Sequence, residues 1–134
     1  MKVRTGIDLC EISRMMRYAD DPDNAFIVRC FTDKEREYVE SIQSSKRRAE
    51  SYAARYAAKE AAAKALGTGI CTKGIGFTDI EIIKDELGAP AIVFAGAALD
   101  RAKQIQVLSS AISITHEKDY AAAAVTLLTD EKDF

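Results

Sequence analysis

The feature that most constrains this chain is an alanine-rich stretch, residues 45–66, that ends at a glycine. Alanine is the strongest helix former because it loses no side-chain entropy, so the stretch predicts a helix from about Ser45 to Leu66. Gly67 is expected to cap it, since glycine adopts the left-handed conformation at a helix end without steric cost. At 134 residues the chain has the length of one compact domain, residues 1–134.

The segment before the long helix predicts a strand and two shorter helices. A short helix is expected from about Glu11 to Tyr18, ending before the turn-forming residues 20–24. Thr32 with Glu35 three residues later fits a capping box, so a second helix should begin there. The opening residues alternate in a way that is typical of a half-buried strand. The positions on one face of that strand are Val3, Thr5, Ile7 and Leu9.

The second half of the chain predicts four strands and one helix. The apolar positions Ile80 and Ile82 and the apolar run 91–94 lie on either side of Gly88-Ala89-Pro90, a pattern that is typical of two strands joined by a turn. A helix is predicted over 95–104, and strands over 107–115 and 120–128 should form a hairpin. Because strands and helices are segregated, we predict an α+β fold with an antiparallel sheet packed against the long helix.

Composition and charge count against several classes of protein. No apolar run approaches the ~18 residues of a membrane span, and the first ten residues do not resemble a signal peptide. We therefore expect a cytoplasmic protein with no membrane partner. The net charge of −2 provides no global basic field, which disfavours nucleic acid as a partner.

The cysteines and the acidic C-terminal residues are expected to have only structural roles. The three cysteines are widely separated without a CxxC motif, so a zinc site is not predicted and they should be small buried residues. Residues 130–133 carry three acidic side chains and should form a frayed, solvated end.

Two distant acidic residues are the strongest candidates for chemistry. Glu60 and Lys64 share one face of the long helix, where a carboxylate and an ammonium could hold a cation and a phosphate. The alternative is an ordinary exposed helix pair. Asp8 ends the first strand beside Gly6, and Mg²⁺ needs only one or two protein carboxylates. The alternative for Asp8 is an N-cap of the following helix.

Other polar residues carry weaker signals. His116 ends a strand, where its imidazole could bind phosphate, relay a proton or simply hydrogen-bond the turn. Lys46 and Arg47 could grip a phosphate or form a solvated helix face. Arg14 and Arg17 lie beside two methionines on the first helix, a combination that suits docking of an acidic helical partner.

Taken in order, a set of motifs spans nearly the whole chain: Gly6-Ile7-Asp8, Phe31-Thr32 with Glu35, Arg55 to Ala61 with Lys64 to Gly69, Asp79 to Ile82, Gly88-Ala89-Pro90, and Ser113 to His116 with Tyr120-Ala121. This set resembles the holo-acyl-carrier-protein synthases of the phosphopantetheinyl transferase family. The block around Lys59-Glu60-Ala61 is its most specific part.

The resemblance implies a single-domain phosphopantetheinyl transferase fold and a role for each matching residue. It implies Mg²⁺ bound by Asp8 and Glu60, with Lys64 contacting a phosphate of coenzyme A. Arg14, with Arg17 on the same helix, is expected to dock acyl carrier protein. The resemblance also implies a homotrimer with coenzyme A sites between subunits. The residues expected to bind coenzyme A, besides Lys64, are Lys46, Arg47, Arg55, Gly67, Pro90 and His116.

The implied reaction is Mg²⁺-dependent transfer of phosphopantetheine from coenzyme A to a serine of apo acyl carrier protein, with release of adenosine bisphosphate, in support of fatty acid biosynthesis. The expected catalytic residues are Asp8, Glu60, Lys64 and His116. The base for the serine proton is open between a metal-bound water, Glu60 and His116. Two rival functions are a small Mg²⁺-dependent nucleotide hydrolase and a non-catalytic nucleic-acid module that uses residues 46–48.

Overall fold

A computed structural model describes residues 1–132. The strands are β1 (Lys2–Glu11), β2 (Ile80–Lys84), β3 (Pro90–Phe94), β4 (Val107–His116) and β5 (Tyr120–Thr129). The helices are α1 (Ile12–Met16), α2 (Ala25–Cys30), α3 (Asp33–Glu40), α4 (Ser45–Leu66) and α5 (Gly96–Gln104). This mixture of antiparallel strands and one long helix confirms the predicted fold class.

The described strands form two antiparallel sheets. In the larger sheet β5 lies between β1 and β4, and the smaller sheet pairs β2 with β3. Asp8 on β1 is opposite Ala123 of β5, which is in turn opposite Ile114 of β4. Opposed residues share a face and side chains alternate along a strand. Asp8 and His116 are therefore on the same face of the sheet, two strands apart.

Helix α4 packs across β1 and β5 and supplies more buried residues to the core than any other described element. The Ser44 hydroxyl caps its first turn by accepting from the Arg47 amide, and Gly67 ends it with φ of 82°. Both ends agree with the prediction from sequence. Ala57 and Ala61 have no exposed surface, and their small side chains let the helix approach the sheet closely.

The closest approach is at Gly6. A Cβ atom at this position would lie 1.9 Å from the carbonyl oxygen of Ala61 and 2.9 Å from the amide nitrogen of Ala65. Both atoms belong to the α4 backbone, which cannot move aside as a flexible side chain can. Glycine at position 6 therefore sets the distance between β1 and α4, and with it the position of Asp8 relative to Glu60.

Replacing Gly6 with alanine is expected to lower the free energy of unfolding by about 1–3 kcal/mol, because overpacking forces the backbone apart. Urea unfolding followed by circular dichroism measures this change. Gly76→Ala is the matched control, since its Cβ would meet no atom within 4 Å. Equal stability of the two variants would contradict the proposed contact.

β1 is half-buried, as predicted, but its apolar side chains are on the exposed face. Val3 is 62%, Ile7 67% and Leu9 63% exposed, whereas Gly6 and Cys10 are buried against the core. The close approach of α4 explains this arrangement, because only a face with a glycine can accept the helix backbone. The positions opposite on β5 are Leu128, Ala124 and Ala122. Together these six residues form an exposed apolar sheet face.

Two local details differ from the sequence-based expectations. Helix α2 lies directly after the predicted turn and was not expected; the Asn24 side chain caps it by accepting from the Phe26 amide. Cys71 is exposed, whereas Cys10 and Cys30 are buried as predicted. Six residues are too few to show a helical periodicity, which explains why the pattern missed α2.

The C-terminal segment is not frayed at Glu131. Its carboxylate accepts from Arg4 Nε at 2.7 Å and from Thr129 Oγ1 at 2.6 Å. The Arg4 guanidinium holds the pKa of Glu131 at about 2, well below its usual range. A tail with this ion pair is fixed to β1, which corrects the expectation of a solvated end; Asp133 lies outside the described residues.

Candidate active site

Asp8 and Lys64 form an ion pair between β1 and the last turns of α4. Asp8 lies three residues before the last residue of β1, which corrects the expectation that it ends this strand. Lys64 Nζ lies 3.0 Å from Asp8 Oδ1 and donates to the carbonyl oxygen of Ile7 at 3.0 Å. Lys64 therefore pairs across the fold and is not simply an exposed helix partner of Glu60. The alternative role of Asp8 as a helix cap is excluded, because β1 continues to Glu11, which is the N-cap of α1.

Glu60 lies close enough to Asp8 for the two charges to interact. Burial raises the pKa of Glu60, and the Asp8 carboxylate raises it further, while Lys64 and Arg14 act in the opposite direction. Two carboxylates that destabilise each other's charge provide a favourable location for a cation. Within residues 1–132, no group of three or more histidine, cysteine or acidic side chains could hold a metal. The acid pair, Asp8 and Glu60, therefore offers the two carboxylates that suit Mg²⁺ and no more.

Arg14 connects α1 to the acid pair through Tyr56. Its Nη2 donates to the Tyr56 hydroxyl at 3.2 Å, and its guanidinium carbon lies 4.7 Å from the centre of the Tyr56 ring. Arg14 and Arg17 line the same surface depression, which also contains Tyr120. On α1, Met16 is 44% exposed, but Met15 is fully buried and belongs to the core.

A third arginine lies on the neighbouring helix α2. The Arg29 guanidinium carbon is 5.8 Å from the Phe26 ring, and that ring stacks on Tyr18 with a centroid distance of 4.8 Å. Arg14, Arg17, Arg29, Tyr18 and Phe26 form a basic and aromatic surface, which we call the α1–α2 surface. Sequence reasoning missed Arg29 because α2 itself was not predicted.

A cleft of about 550 Å³ opens between α3, α4 and the strands β2 and β4. Four of the residues predicted from sequence to bind coenzyme A line this α3–α4 cleft: Arg47, Arg55, Pro90 and His116. Basic side chains and an apolar floor are suited to a phosphorylated ligand with a flat ring. The floor includes Ile42, Ala54, Ile82, Ile83 and Ile114.

His116 faces this cleft and does not hold the β4–β5 turn. Its Nδ1 lies 3.8 Å from Glu50 Oε2, on α4. The turn is stabilised by the Glu117 carboxylate, which accepts from the amides of Asp119 at 2.7 Å and Tyr120 at 3.0 Å. Glu117, and not His116, therefore makes the hydrogen bonds that stabilise this turn.

The remaining predicted residues are in other places. Lys46 lines a separate depression with Lys118 and Tyr120. Gly67 is at the end of α4, where a Cβ would lie 2.7 Å from Arg4 Nη1. Neither the acid pair nor Lys64 lines the α3–α4 cleft. One chain therefore presents two separate groups of candidate residues, one at the acid pair and one in the cleft.

Lys59, next to Glu60 in sequence, is a buried residue that sequence reasoning did not assign. Its ammonium group has no exposed surface, lies 2.6 Å from Glu35 Oε1 and donates to the carbonyl oxygens of Phe77 and Ile80. The other carboxylate oxygen of Glu35 accepts from the Ile82 amide at 3.1 Å. This network joins α3, α4 and β2.

Comparison with protein families gives a match over residues 4–125 to the 4'-phosphopantetheinyl transferase superfamily. The chain belongs to this superfamily. It is 41% identical over 127 residues to the holo-[acyl-carrier-protein] synthase of Vibrio cholerae serotype O1 (strain M66-2), covering 95% of this chain and 98% of the relative. The corresponding protein of Maridesulfovibrio salexigens is 43% identical with the same coverage.

Solved structures agree with this assignment. A holo-(acyl-carrier-protein) synthase from Bacillus anthracis str. Ames, in complex with CoA (3',5'-ADP), has a TM-score of 0.74 and 35% identity. The comparison covers 92% of this chain and 94% of that structure. The Neisseria meningitidis synthase has a TM-score of 0.79 at 28% identity, covering 94% and 98% of the two chains. This chain is thus an enzyme of the holo-[acyl-carrier-protein] synthase type.

Proposed function

We propose that this enzyme transfers phosphopantetheine from coenzyme A to a serine of apo acyl carrier protein in a Mg²⁺-dependent reaction. Adenosine 3',5'-bisphosphate is the second product, and fatty acid biosynthesis is the process served. The observation that carries the proposal is the meeting of Asp8, Glu60 and Lys64 from two distant parts of the chain. The three cysteines are free thiols, which fits our placement of the protein in the cytoplasm.

The acid pair and Lys64 suit the pyrophosphate of coenzyme A. The two carboxylates would hold Mg²⁺, which supplies positive charge to the phosphate oxygens when bound. Lys64 is half exposed, so its ammonium can turn from Asp8 to a phosphate oxygen and stabilise the leaving group. Phosphoryl transfer depends mainly on such positioning and charge stabilisation.

The α3–α4 cleft is proposed to bind the nucleotide end of coenzyme A. Arg47, Arg55 and His116 provide donors for phosphate oxygens, and Pro90 with the isoleucine floor provides an apolar surface for the base. On α4, Arg55 and Glu60 are five residues apart and so project about 140° apart around the helix axis. A cleft and an acid pair on different sides of the helix would be brought together if neighbouring copies of the chain each contributed one of them.

We therefore propose a homotrimer assembled through the apolar sheet face. Val3, Ile7 and Leu9 are each more than 60% exposed. Together with the β5 positions opposite them they form an apolar surface in which the Thr5–Thr126 pair is the polar element. Such surfaces on soluble proteins mark interaction sites. Contact between copies would cover this face, since a closed ring buries the same patch on every subunit.

Introducing a charge into this face, by Ile7→Asp, is expected to disrupt assembly without unfolding the chain. Light scattering after size exclusion should give three times the chain mass of 14.7 kDa for the unmodified protein and a single chain mass for the variant. Leu87→Asp is the control, because Leu87 is 95% exposed on a turn far from the face. A trimeric Ile7→Asp protein would contradict the proposed interface.

The α1–α2 surface is the proposed docking site for acyl carrier protein. Reversing one charge there, by Arg14→Glu, should raise the KM for carrier protein about tenfold, because complementary charges guide association. The dissociation constant for coenzyme A, measured by calorimetry, should not change. Lys103→Glu on α5 is the charge-matched control. Weaker coenzyme A binding with an unchanged carrier KM would show that the docking surface is misplaced.

Mass spectrometry tests the proposed reaction directly. Incubating the protein with coenzyme A, Mg²⁺ and an apo carrier protein should add the mass of phosphopantetheine to the carrier and release one equivalent of adenosine bisphosphate. A nucleotide hydrolase built on the same carboxylates would release nucleotide products and leave the carrier unmodified. That second result would refute the proposal.

A further inference from the structure

A tyrosine with two cations against its ring lies in the α3–α4 cleft. Tyr38 on α3 has the Arg55 guanidinium carbon 4.7 Å and the Lys84 ammonium 4.6 Å from its ring centre. Lys84 also donates a hydrogen bond to the Tyr38 hydroxyl. All three side chains line the cleft. Two positive charges are therefore held at one place by a single aromatic side chain.

Arg55 is buried and incompletely paired. It is 8% exposed; its Nη1 donates to Ser51 Oγ at 2.6 Å, but its Nε has no hydrogen-bond partner. Burial lowers the pKa of Arg55. A buried cationic donor without an acceptor is unfavourable in the free protein. An anionic oxygen of a ligand in the cleft would offset this cost by pairing with the guanidinium group.

Tyr38 itself is not a core residue. It is 37% exposed, so the buried core does not require an aromatic ring at this position. Without the Tyr38 side chain, Arg55 would lose its cation–π contact. Lys84 would lose both its cation–π contact and its hydrogen bond to the hydroxyl. Both cations have long, flexible side chains whose freedom must be restricted before they can bind a ligand well.

We propose that Tyr38 is a positioning residue that orients Arg55 and Lys84 to bind a phosphate group at the nucleotide end of coenzyme A. This inference rests on the proposed function, since it assumes that coenzyme A occupies the cleft. Neither Tyr38 nor Lys84 was indicated by the sequence motifs. Their roles follow from the shared ring and from the unpaired Nε of Arg55.

The test measures binding of coenzyme A and of 3',5'-ADP by calorimetry. Tyr38→Leu is expected to weaken both ligands about tenfold, because the two cations lose their support. Tyr38→Phe keeps the ring and loses only the hydroxyl, so the loss should be about threefold. The kcat at saturating coenzyme A should stay within about twofold of the original, because the acid pair is untouched.

A mutant cycle separates positioning from simple packing. If Tyr38 acts only through these two cations, adding Tyr38→Leu to an Arg55→Met/Lys84→Met protein should weaken coenzyme A binding no further. A further loss of affinity in that triple variant would overturn the proposal. Lys84→Met should weaken binding in the same direction, and it provides a second test if Tyr38→Leu is poorly folded. Lys103→Met, on α5, is the control and should bind normally.

The possible failures are distinguishable. If the unmodified protein binds coenzyme A and modifies the carrier, but Tyr38→Leu binds both ligands normally, the proposed function stands and the role of Tyr38 is refuted. A Tyr38→Leu protein that loses kcat and thermal stability together while keeping its ligand affinity refutes it equally. If the unmodified protein does not bind coenzyme A at all, the proposed function fails and the inference fails with it.

Discussion

Replacing Asp8 with asparagine, or Glu60 with glutamine, is expected to reduce phosphopantetheine transfer on the order of 10³-fold, or about 4 kcal/mol of barrier. Each change keeps the shape of the side chain and removes one of the two negative charges available to Mg²⁺. Carrier modification is followed by mass spectrometry at several Mg²⁺ concentrations. The loss should be largest at low Mg²⁺ and should decrease as the metal concentration is raised.

The same variants should remain folded. The Asp8–Lys64 ion pair is partly exposed, and pairs of this kind contribute only about 0–1 kcal/mol to stability. Asp100→Asn, on the exposed surface of α5, is the matched control and should transfer normally. Normal transfer by Asp8→Asn or Glu60→Gln would refute the role of the acid pair, whatever the behaviour of the other residues.

Replacing Lys59 with methionine should have the largest effect on stability. The substitution leaves the Glu35 carboxylate buried without its ionic partner, which typically costs about 3–5 kcal/mol. For a chain of this size the thermal midpoint should fall by about 10–20 °C. Differential scanning calorimetry measures the change, and Lys34→Met on the exposed side of α3 provides the control.

A compensating substitution tests the cause of that loss. In Lys59→Met/Glu35→Gln the buried charge is gone, while the new amide side chain can still accept from one of the two backbone amides that Glu35 serves, those of Thr32 and Ile82. The double variant should therefore be more stable than Lys59→Met alone. If Lys59→Met lowers the free energy of unfolding by less than about 1 kcal/mol, the loss is well below the usual cost of an unpaired buried charge. The Lys59–Glu35 network would then not stabilise the fold in the way described.

Local signals in the sequence predicted most of the secondary structure. The bounds of α4, its glycine cap, the capping box of α3 and the β4–β5 hairpin all follow from short-range propensity, which a linear pattern records. The exposed face of β1 could not be predicted in this way. Alternation shows that a strand has two faces, but the burial of the Gly6 face depends on how closely α4 approaches it.

The candidate site could be predicted less completely than the secondary structure from local sequence patterns. Asp8 and Lys64 are far apart in sequence, and only their motifs, through the family resemblance, suggested that they act together. Lys59 was overlooked because a lysine beside a glutamate on an alanine-rich helix looks like part of a solvated face. Its burial depends on Glu35 of α3, and no periodicity within α4 contains that information.

The continuity of α4 also has a consequence for how this protein can vary. The helix holds Arg55 in the cleft and Glu60 at the acid pair with no break between them. One residue inserted between those two positions would turn one group by about 100° relative to the other and shift it by about 1.5 Å. An insertion in the turn that carries Leu87 would rotate neither group, because that turn lies outside α4. Changes in chain length should therefore be tolerated there and not within the middle of α4.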